Sequence, residues 1–237
     1  MKLAVTLALA GMFSLPLQAA DEAASFIRQH YQPAPAGEQG AALWQKTDTP
    51  GFLYQLCLDK PIDAQQRILV MCGDGDNDHS AGADSGYFDI WYLNGGKAIS
   101  LPGEQGAGRY GQSGDVQAVK MGDRWGVVTK TGYSLQGFTQ AFERYYVRLG
   151  EKIVNVAAIT AYSDNAGYCE PGQSGCSQDA LAVKATFSAM QTGQTLPDLI
   201  LTAKGTREGK PVNKSWRLPF NEQTQRYPFP EALDISY

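Results

Sequence analysis

Between two apolar runs, "RILVM" and "YFDIWYL", the chain concentrates chemically active side chains in "CGDGDNDHSAGADSG", Cys72 to Gly86. Asp74, Asp76 and Asp78 follow an i, i+2, i+4 rhythm. A curving loop with this rhythm turns alternate carboxylates to one side, where a hard cation such as Ca2+ takes oxygen ligands. Asp84 and Asp89 are later residues suited to completing that shell. The segment departs from the helix-loop-helix calcium loop. His79 stands where that loop needs a sharp-turn glycine, Ser85 stands where it needs a bidentate glutamate, and the flanks have the pattern of strands. The expectation is a calcium loop joining two strands. It competes with a partner-facing acidic loop and with a solvated turn rich in Asp, Asn and Gly. Three carboxylates this close repel one another unless a cation, water or a partner's basic groups compensate.

The inventory for catalysis is poor. The chain has two histidines, His30 and His79. Asp78-His79-Ser80 cannot act as a triad, because consecutive side chains do not converge as that mechanism requires. "GQSG" occurs at Gly111 to Gly114 and again at Gly172 to Gly175, and both copies read as turns. No G-x-S-x-G elbow, H-E-x-x-H helix, zinc-spaced cysteine set, phosphate loop or dinucleotide fingerprint is present. A two-carboxylate glycosidase needs no local motif. Asp59, Asp89 and Glu143 are its candidates here, and each reads as a solvated strand residue. No catalytic residue is assigned. The alternative is a secreted metal-dependent hydrolase using the Asp74 to Asp78 loop, or His79 as its base.

Aromatic residues point toward recognition. Tyr87 and Trp91 follow the acidic loop, and "FERYYV" supplies Tyr145. On strands half of such residues face away from a core, where tyrosine and tryptophan suit a protein or an envelope glycan. The competing expectation is that sheets bury both faces.

The elements that must position these residues follow from the wider pattern. Met1 to Ala20 carries one charge, Lys2, then an apolar run and small residues at Ala19 and Ala20. That is the pattern of an export signal peptide, too short to span a membrane comfortably. Without it the formal charge moves from -4 to -5, one lysine fewer. No basic surplus is left for a nucleic-acid backbone. The expected location is the periplasm or the exterior, with no integral membrane segment. Four cysteines in an oxidising compartment imply two disulfides. A hairpin around "DKPIDAQQ" places Cys57 opposite Cys72, and the loop "EPGQSG" lies between Cys169 and Cys176.

"DEAASFIRQHYQ" sets Ala23, Phe26, Ile27 and Tyr31 near one helical face, with Asp21 near the helix start. "QPAPAGEQG" reads as a linker. From Gly51 onward the period is two, with turns at Asn94-Gly95, Gly122-Asp123, Gly150-Glu151 and around Arg207 to Lys210. In "ALAVKATFS", Leu181, Val183, Ala185 and Phe187 share one face. The expectation is an all-β antiparallel sandwich of roughly ten to twelve strands, ahead of a barrel or a small propeller. One short N-terminal helix precedes it. The expected divisions are 1–20 leader, 21–50 helix and linker, and 51–237 one β domain. The functional expectation is an exported, non-catalytic binding protein, in concrete form an inhibitor or immunity protein. An envelope-assembly or adhesion module acting through sheet edges is the third class.

Overall fold

Alternating apolar residues, broken by Gly, Asn and Asp turns, build two open antiparallel sheets. The computed structural model describes residues 15–35, 42–75, 81–106, 108–169 and 175–233, with the backbone alone for 15–21. Helix α1 (Leu15–His30) leads into β1 (Gln32–Pro33), β2 (Trp44–Gln45), β3 (Phe52–Pro61), β4 (Gln66–Gly75), β5 (Tyr87–Asn94) and β6 (Lys97–Gln105), which pair in that order. The second sheet holds β7 (Asp115–Met121), β8 (Arg124–Leu135), β9 (Phe138–Leu149), β10 (Lys152–Asp164), β11 (Ala180–Phe187), β12 (Leu199–Arg207) and β13 (Lys210–Leu218), also in sequence order. The fold is thus an all-β sandwich, with neither sheet closed into a barrel. Its strands number thirteen among the described residues, more than expected, because β1 and β2 are two-residue pairings of the arm read as a linker.

The central strands are buried on both faces. In β4 and β5, Ile68, Val70, Cys72, Phe88, Ile90 and Tyr92 meet Val127, Tyr146 and Ile153 of the second sheet. Their neighbours Leu69, Met71, Trp91 and Leu93 turn the other way, toward Ala23, Phe26, Ile27 and Tyr31 of α1 and its exit. Val128, Tyr145 and Val147 of β8 and β9 face a further cluster with Leu181, Val183, Leu199 and Leu201. Enclosing a side chain such as Phe88 or Ile90 contributes roughly 1.5–3 kcal/mol. The face predicted for β11 is the one that packs, since Ala185 and Phe187 join Leu181 and Val183 against this cluster.

Two-residue turns close most hairpins. Gly122-Asp123, Gly150-Glu151 and Glu208-Gly209 lie where the pattern placed them. The β5–β6 turn is Gly95-Gly96, one residue later than expected, with Asn94 paired to Lys97. Both glycines have positive φ, as the hairpin turn that matches strand twist requires. The helix begins at Leu15, so Asp21 does not mark its start.

Cys57 and Cys72 are linked, as are Cys169 and Cys176. The register of the first pair differs from the simple hairpin. Gln55 pairs with Cys72 and Leu58 with Val70, so Cys57 is the extra residue of a β-bulge. The bulge brings Cys57 within bonding reach of Cys72, with Cα atoms 5.8 Å apart. Two disulfides place the folded chain in an oxidising environment. Among the described residues no helix is long and apolar enough to cross a membrane.

Among the described residues Asp89 is the most deeply buried of the charged groups, ahead of Arg67 and Asp198. Asp89 is 0 % exposed, not a solvated strand residue. The Tyr31 hydroxyl donates to its Oδ2 at 2.6 Å and Lys46 Nζ at 3.1 Å, while the Gly103 amide donates to Oδ1 at 2.6 Å. Gly103 reaches it because Ile90 pairs with Leu101 and Phe88 with Glu104, which leaves a bulge opposite Asp89. The network ties the end of α1, the β2 arm and β6 to the middle of β5. Burial holds the Tyr31 phenol well above its ordinary range, and the Asp89 charge adds to that, so Tyr31 stays a donor.

Lys46→Met leaves a buried carboxylate without its counter-charge and is expected to cost about 3 kcal/mol in urea unfolding. Asp89→Asn is expected to cost less, because Lys46 can turn its ammonium to water. The reverse order would show that the pair does not hold the arm. A second expectation concerns alkali. Burial pushes Tyr54 and Tyr146 up to about 12 from 10.0. The neutral phenols are favoured in the folded state, so their contribution is complete below about pH 10 and is lost as pH rises through 12. Phenolate absorbance from Tyr54 and Tyr146 should rise only as pH approaches 12, together with loss of near-UV signal. A single step near pH 10 with the fold intact would contradict this.

Candidate functional site

Antiparallel order brings several connections to one end of the sandwich. Phe52 pairs with Gly75, Tyr87 with Gln105, Asp115 with Lys130, and Asp164 with both Thr139 and Ala180. The strand ends that carry the connections 46–51, 76–86, 106–114, 136–137 and 165–179 are therefore at one end.

Backbone atoms knit these loops. The Gly75 amide donates to the Gly111 carbonyl at 2.9 Å, Gly111 to Asp84 at 3.1 Å, Gly86 to Gln112 at 2.8 Å, and Gly106 to Gly86 at 2.9 Å. Asp74 Oδ1 accepts both the amide and the hydroxyl of Ser113, each at 2.7 Å. Such approach needs glycine: a Cβ on Gly86 would lie 2.4 Å from the Ser113 nitrogen. Further round, the Gly167 amide donates to Gly137, and the Phe138 and Tyr168 rings stack at 4.9 Å. Asn165 receives the Asp179 amide and donates to the Ser177 carbonyl. The Asp179 carboxylate receives the amides of Glu208 and Gly209 in the β12–β13 turn.

The residues singled out in the sequence are dispersed. Asp74 anchors the 106–114 loop through Ser113. Asp84 accepts the Ala81 amide at 2.7 Å and so closes its own turn. Asp89 lies inside the fold with its oxygens engaged. Asp76, Asp78 and His79 fall outside the described residues. Among the described residues, no group of three or more His, Cys, Asp or Glu stands together as metal ligands would.

Of the other two carboxylates, Asp59 pairs with Arg67 at 3.1 Å, and Glu143 accepts the Tyr145 hydroxyl at 2.5 Å and faces Lys130 at 3.6 Å. His30 has its ring against Phe26 and Trp91. Tyr145 is buried, Trp91 is half-buried beside α1, and Tyr87 is half-buried edge-on to Phe52. Tyr145 is thus enclosed, while Trp91 and Tyr87 keep part of their rings exposed.

Other apolar side chains stand open at the loop end: Tyr110 is 55 % exposed, Tyr168 60 % and Leu135 43 %. Their signal in the sequence is the company they keep. "GRYGQSG" and "NAGYCEPG" bracket a tyrosine with turn residues, which puts it outside the strands.

Two clefts flank these loops. One, of about 780 Å³, lies between the arm and β3 and is lined by Gln32, Lys46, Thr49, Phe52 and Gly75. The other, of about 650 Å³, separates the 108–115 loop from β8 and is lined by Arg109, Tyr110, Lys130, Gly132, Tyr133 and Phe142. The Arg109 guanidinium lies 5.7 Å from the Tyr110 ring centre, which gives this wall a cation beside an aromatic face. Comparison of the chain with family models, with curated proteins and with solved structures found no match.

The Asp74–Ser113 link makes a testable prediction. Asp74→Ala leaves two donors without their acceptor and is expected to lower stability by about 1–3 kcal/mol. Ser113→Ala keeps the amide bond and is expected to cost about 1 kcal/mol. Amide exchange at Gly75 and Gly111 should speed up in the first variant and little in the second. Equal effects would mean that Asp74 does not anchor the loop.

Proposed function

We propose that this chain is an exported, non-catalytic binding protein that recognises a protein or glycan of the envelope through its loop end. A periplasmic inhibitor or immunity protein, blocking a hydrolase aimed at the envelope, is the concrete form of this reading. The observation that carries it is the exposure of Tyr110 and Tyr168 on loops that are each hydrogen-bonded through the backbone to a neighbouring segment, Tyr110's to Gly75 and Gly86 and Tyr168's to Gly137. Amphipathic rings held on a rigid frame lose little entropy on binding, which favours recognition of a macromolecule over enclosure of a small substrate. The export pattern of Met1 to Ala20 and the two disulfides support the periplasm or the exterior as its place. The sequence between Gly75 and Ala81 carries Asp76 and Asp78, charge that a basic or cation-holding active site would attract.

Affinity capture from an envelope extract tests the reading. Tyr110→Ala and Tyr168→Ala lie outside the packed core and are expected to leave the melting temperature unchanged while lowering recovery of the captured species at least about fivefold, as loss of a contact residue does. Capture that survives both substitutions would remove the loop end from the interface. The calcium expectation is tested in the same preparation. A cation held by Asp76 and Asp78 would raise the melting temperature on calcium addition and lower it with chelator. A loop that only faces a partner would change neither.

A further inference from the structure

Strand β8 outruns its neighbour. β7 pairs with it only as far as Asp115 and Lys130, whereas β9 follows it to Leu135 and Phe138. Thr131 to Leu135 is therefore paired on one side and open on the other.

The direction of each peptide group follows from the turn. Leu135 and Phe138 close a two-residue hairpin at Gln136-Gly137, both with positive φ, so they form a hydrogen-bonded pair. Alternation makes Tyr133 and Thr131 face β9 as well, and points the amides and carbonyls of Gly132 and Ser134 to the open edge. The Lys130 carbonyl agrees with this phase, since it reaches toward Gly114 on the β7 side. Gly132 and Ser134 are exposed. Among the described residues neither makes a backbone hydrogen bond to the 108–114 loop. At about 3.4 Å per residue the open edge is roughly 17 Å long.

Free edges elsewhere are guarded. β13 carries Lys210, Pro211, Lys214 and Arg217, the charges and proline that discourage strand pairing. Pro33 stands in the edge strand β1. "TGYSL" has neither charge nor proline. It also borders the 650 Å³ cleft, walled opposite by Gly108, Arg109 and Tyr110. The adjacent pair Gly132 and Ala141 leaves a stretch of sheet bare of side chains, where a bulky residue on an added strand finds room.

We propose that the open edge of β8, Thr131 to Leu135, receives an extended segment of a partner protein as an added β-strand, with a bulky apolar residue over Gly132 and Ala141. This rests on the binding reading above and narrows it to a polypeptide partner. The main-chain ladder of Gly132 and Ser134 supplies affinity, and Arg109, Tyr110 and Tyr133 select side chains.

The test uses the mature protein and a synthetic peptide, acetyl-Thr-Val-Thr-Phe-Thr-Val-Thr-amide, followed by amide NMR. In the free protein the Gly132 and Ser134 amides are expected to exchange quickly and that of Tyr133 slowly. On titration the largest shifts should fall on Gly132 and Ser134, with protection of both. Ser134→Ala keeps the amide and should bind equally. Ser134→Pro removes an amide that makes no bond to β9, so the hairpin should persist while binding weakens about five- to tenfold. A peptide N-methylated at alternate residues should lose binding likewise. Slow exchange of Gly132 and Ser134 in the free protein, no binding of the peptide, shifts centred elsewhere, or full binding to Ser134→Pro would each overturn strand addition. Should strand addition fail while capture still depends on Tyr110, the wider binding reading stands. Should capture be indifferent to Tyr110 and Tyr168 while the peptide protects Gly132, the edge binds polypeptide and the loop rim does not.

Discussion

Burial of the central strands on both faces is the constraint from which the rest follows. Ile68 and Leu69, Ile90 and Trp91, Val127 and Val128, and Tyr145 and Tyr146 are neighbours in sequence that enter different clusters. A strand in that position has no wet face on which to carry polar chemistry. Charged groups must leave the middle of the sheets or arrive there with every partner in place. Arg67 of β4 keeps the rule by pairing with Asp59, and so does Asp89, the most deeply buried charge among the described residues: it meets a phenol, an ammonium and an amide within 3.1 Å. Removing any one of them from so apolar a site would cost more than the same bond is worth at a surface.

Expulsion of polar groups sends variety to the strand ends, and there a different economy operates. The loops at the candidate site have little apolar area to bury, so backbone pairs with backbone, and glycine allows the close approach. Tyr110 and Tyr168 stay largely exposed on these loops, Tyr168 with one face of its ring on Phe138. Order without burial is the property a recognition surface needs: contact residues stay in water, yet lose little freedom when they are covered.

Period-two alternation made the all-β class legible, and an even cysteine count with local spacing made both disulfides legible, because these are short-range properties. What escaped is set by long-range geometry. The bulge at Cys57 shifts the β3–β4 register, and nothing in "FLYQLCLDK" marks it. Asp89 in "YFDIWYL" looks like the polar member of an alternating strand. Its burial depends on α1 and the β2 arm closing over that face, an event decided by Tyr31, Lys46 and Trp91 from three separate segments. Residue type in "YFDIWYL" and "FERYYV" suits recognition, but exposure depends on how many layers cover a strand. Tyr145 and Trp91 are covered from a second side, whereas Tyr110 and Tyr168, in turns, are not. The role of Asp74 was hidden for the same reason, since its partner Ser113 lies on another loop.

The placement of covalent and ionic reinforcement has its own logic. Three connections at the opposite end are two-residue turns, Gly95-Gly96, Gly122-Asp123 and Gly150-Glu151, which need no help to close. The connections 76–86, 106–114 and 165–179 start and finish at the loop end, whereas the β11–β12 connection, 188–198, is at the opposite end. Cys72 precedes the 76–86 connection by only a few residues, and Cys169–Cys176 lies within the 165–179 connection. Asp74 and Asp179 gather amides in the same region. Closing a long connection costs entropy that grows with its length, and a crosslink removes part of that cost from the unfolded chain. A sandwich with this much two-sided burial has its stability from its centre. Staples concentrated at one rim therefore act on the shape of that rim, where Tyr110, Tyr168 and the end of β8 are found.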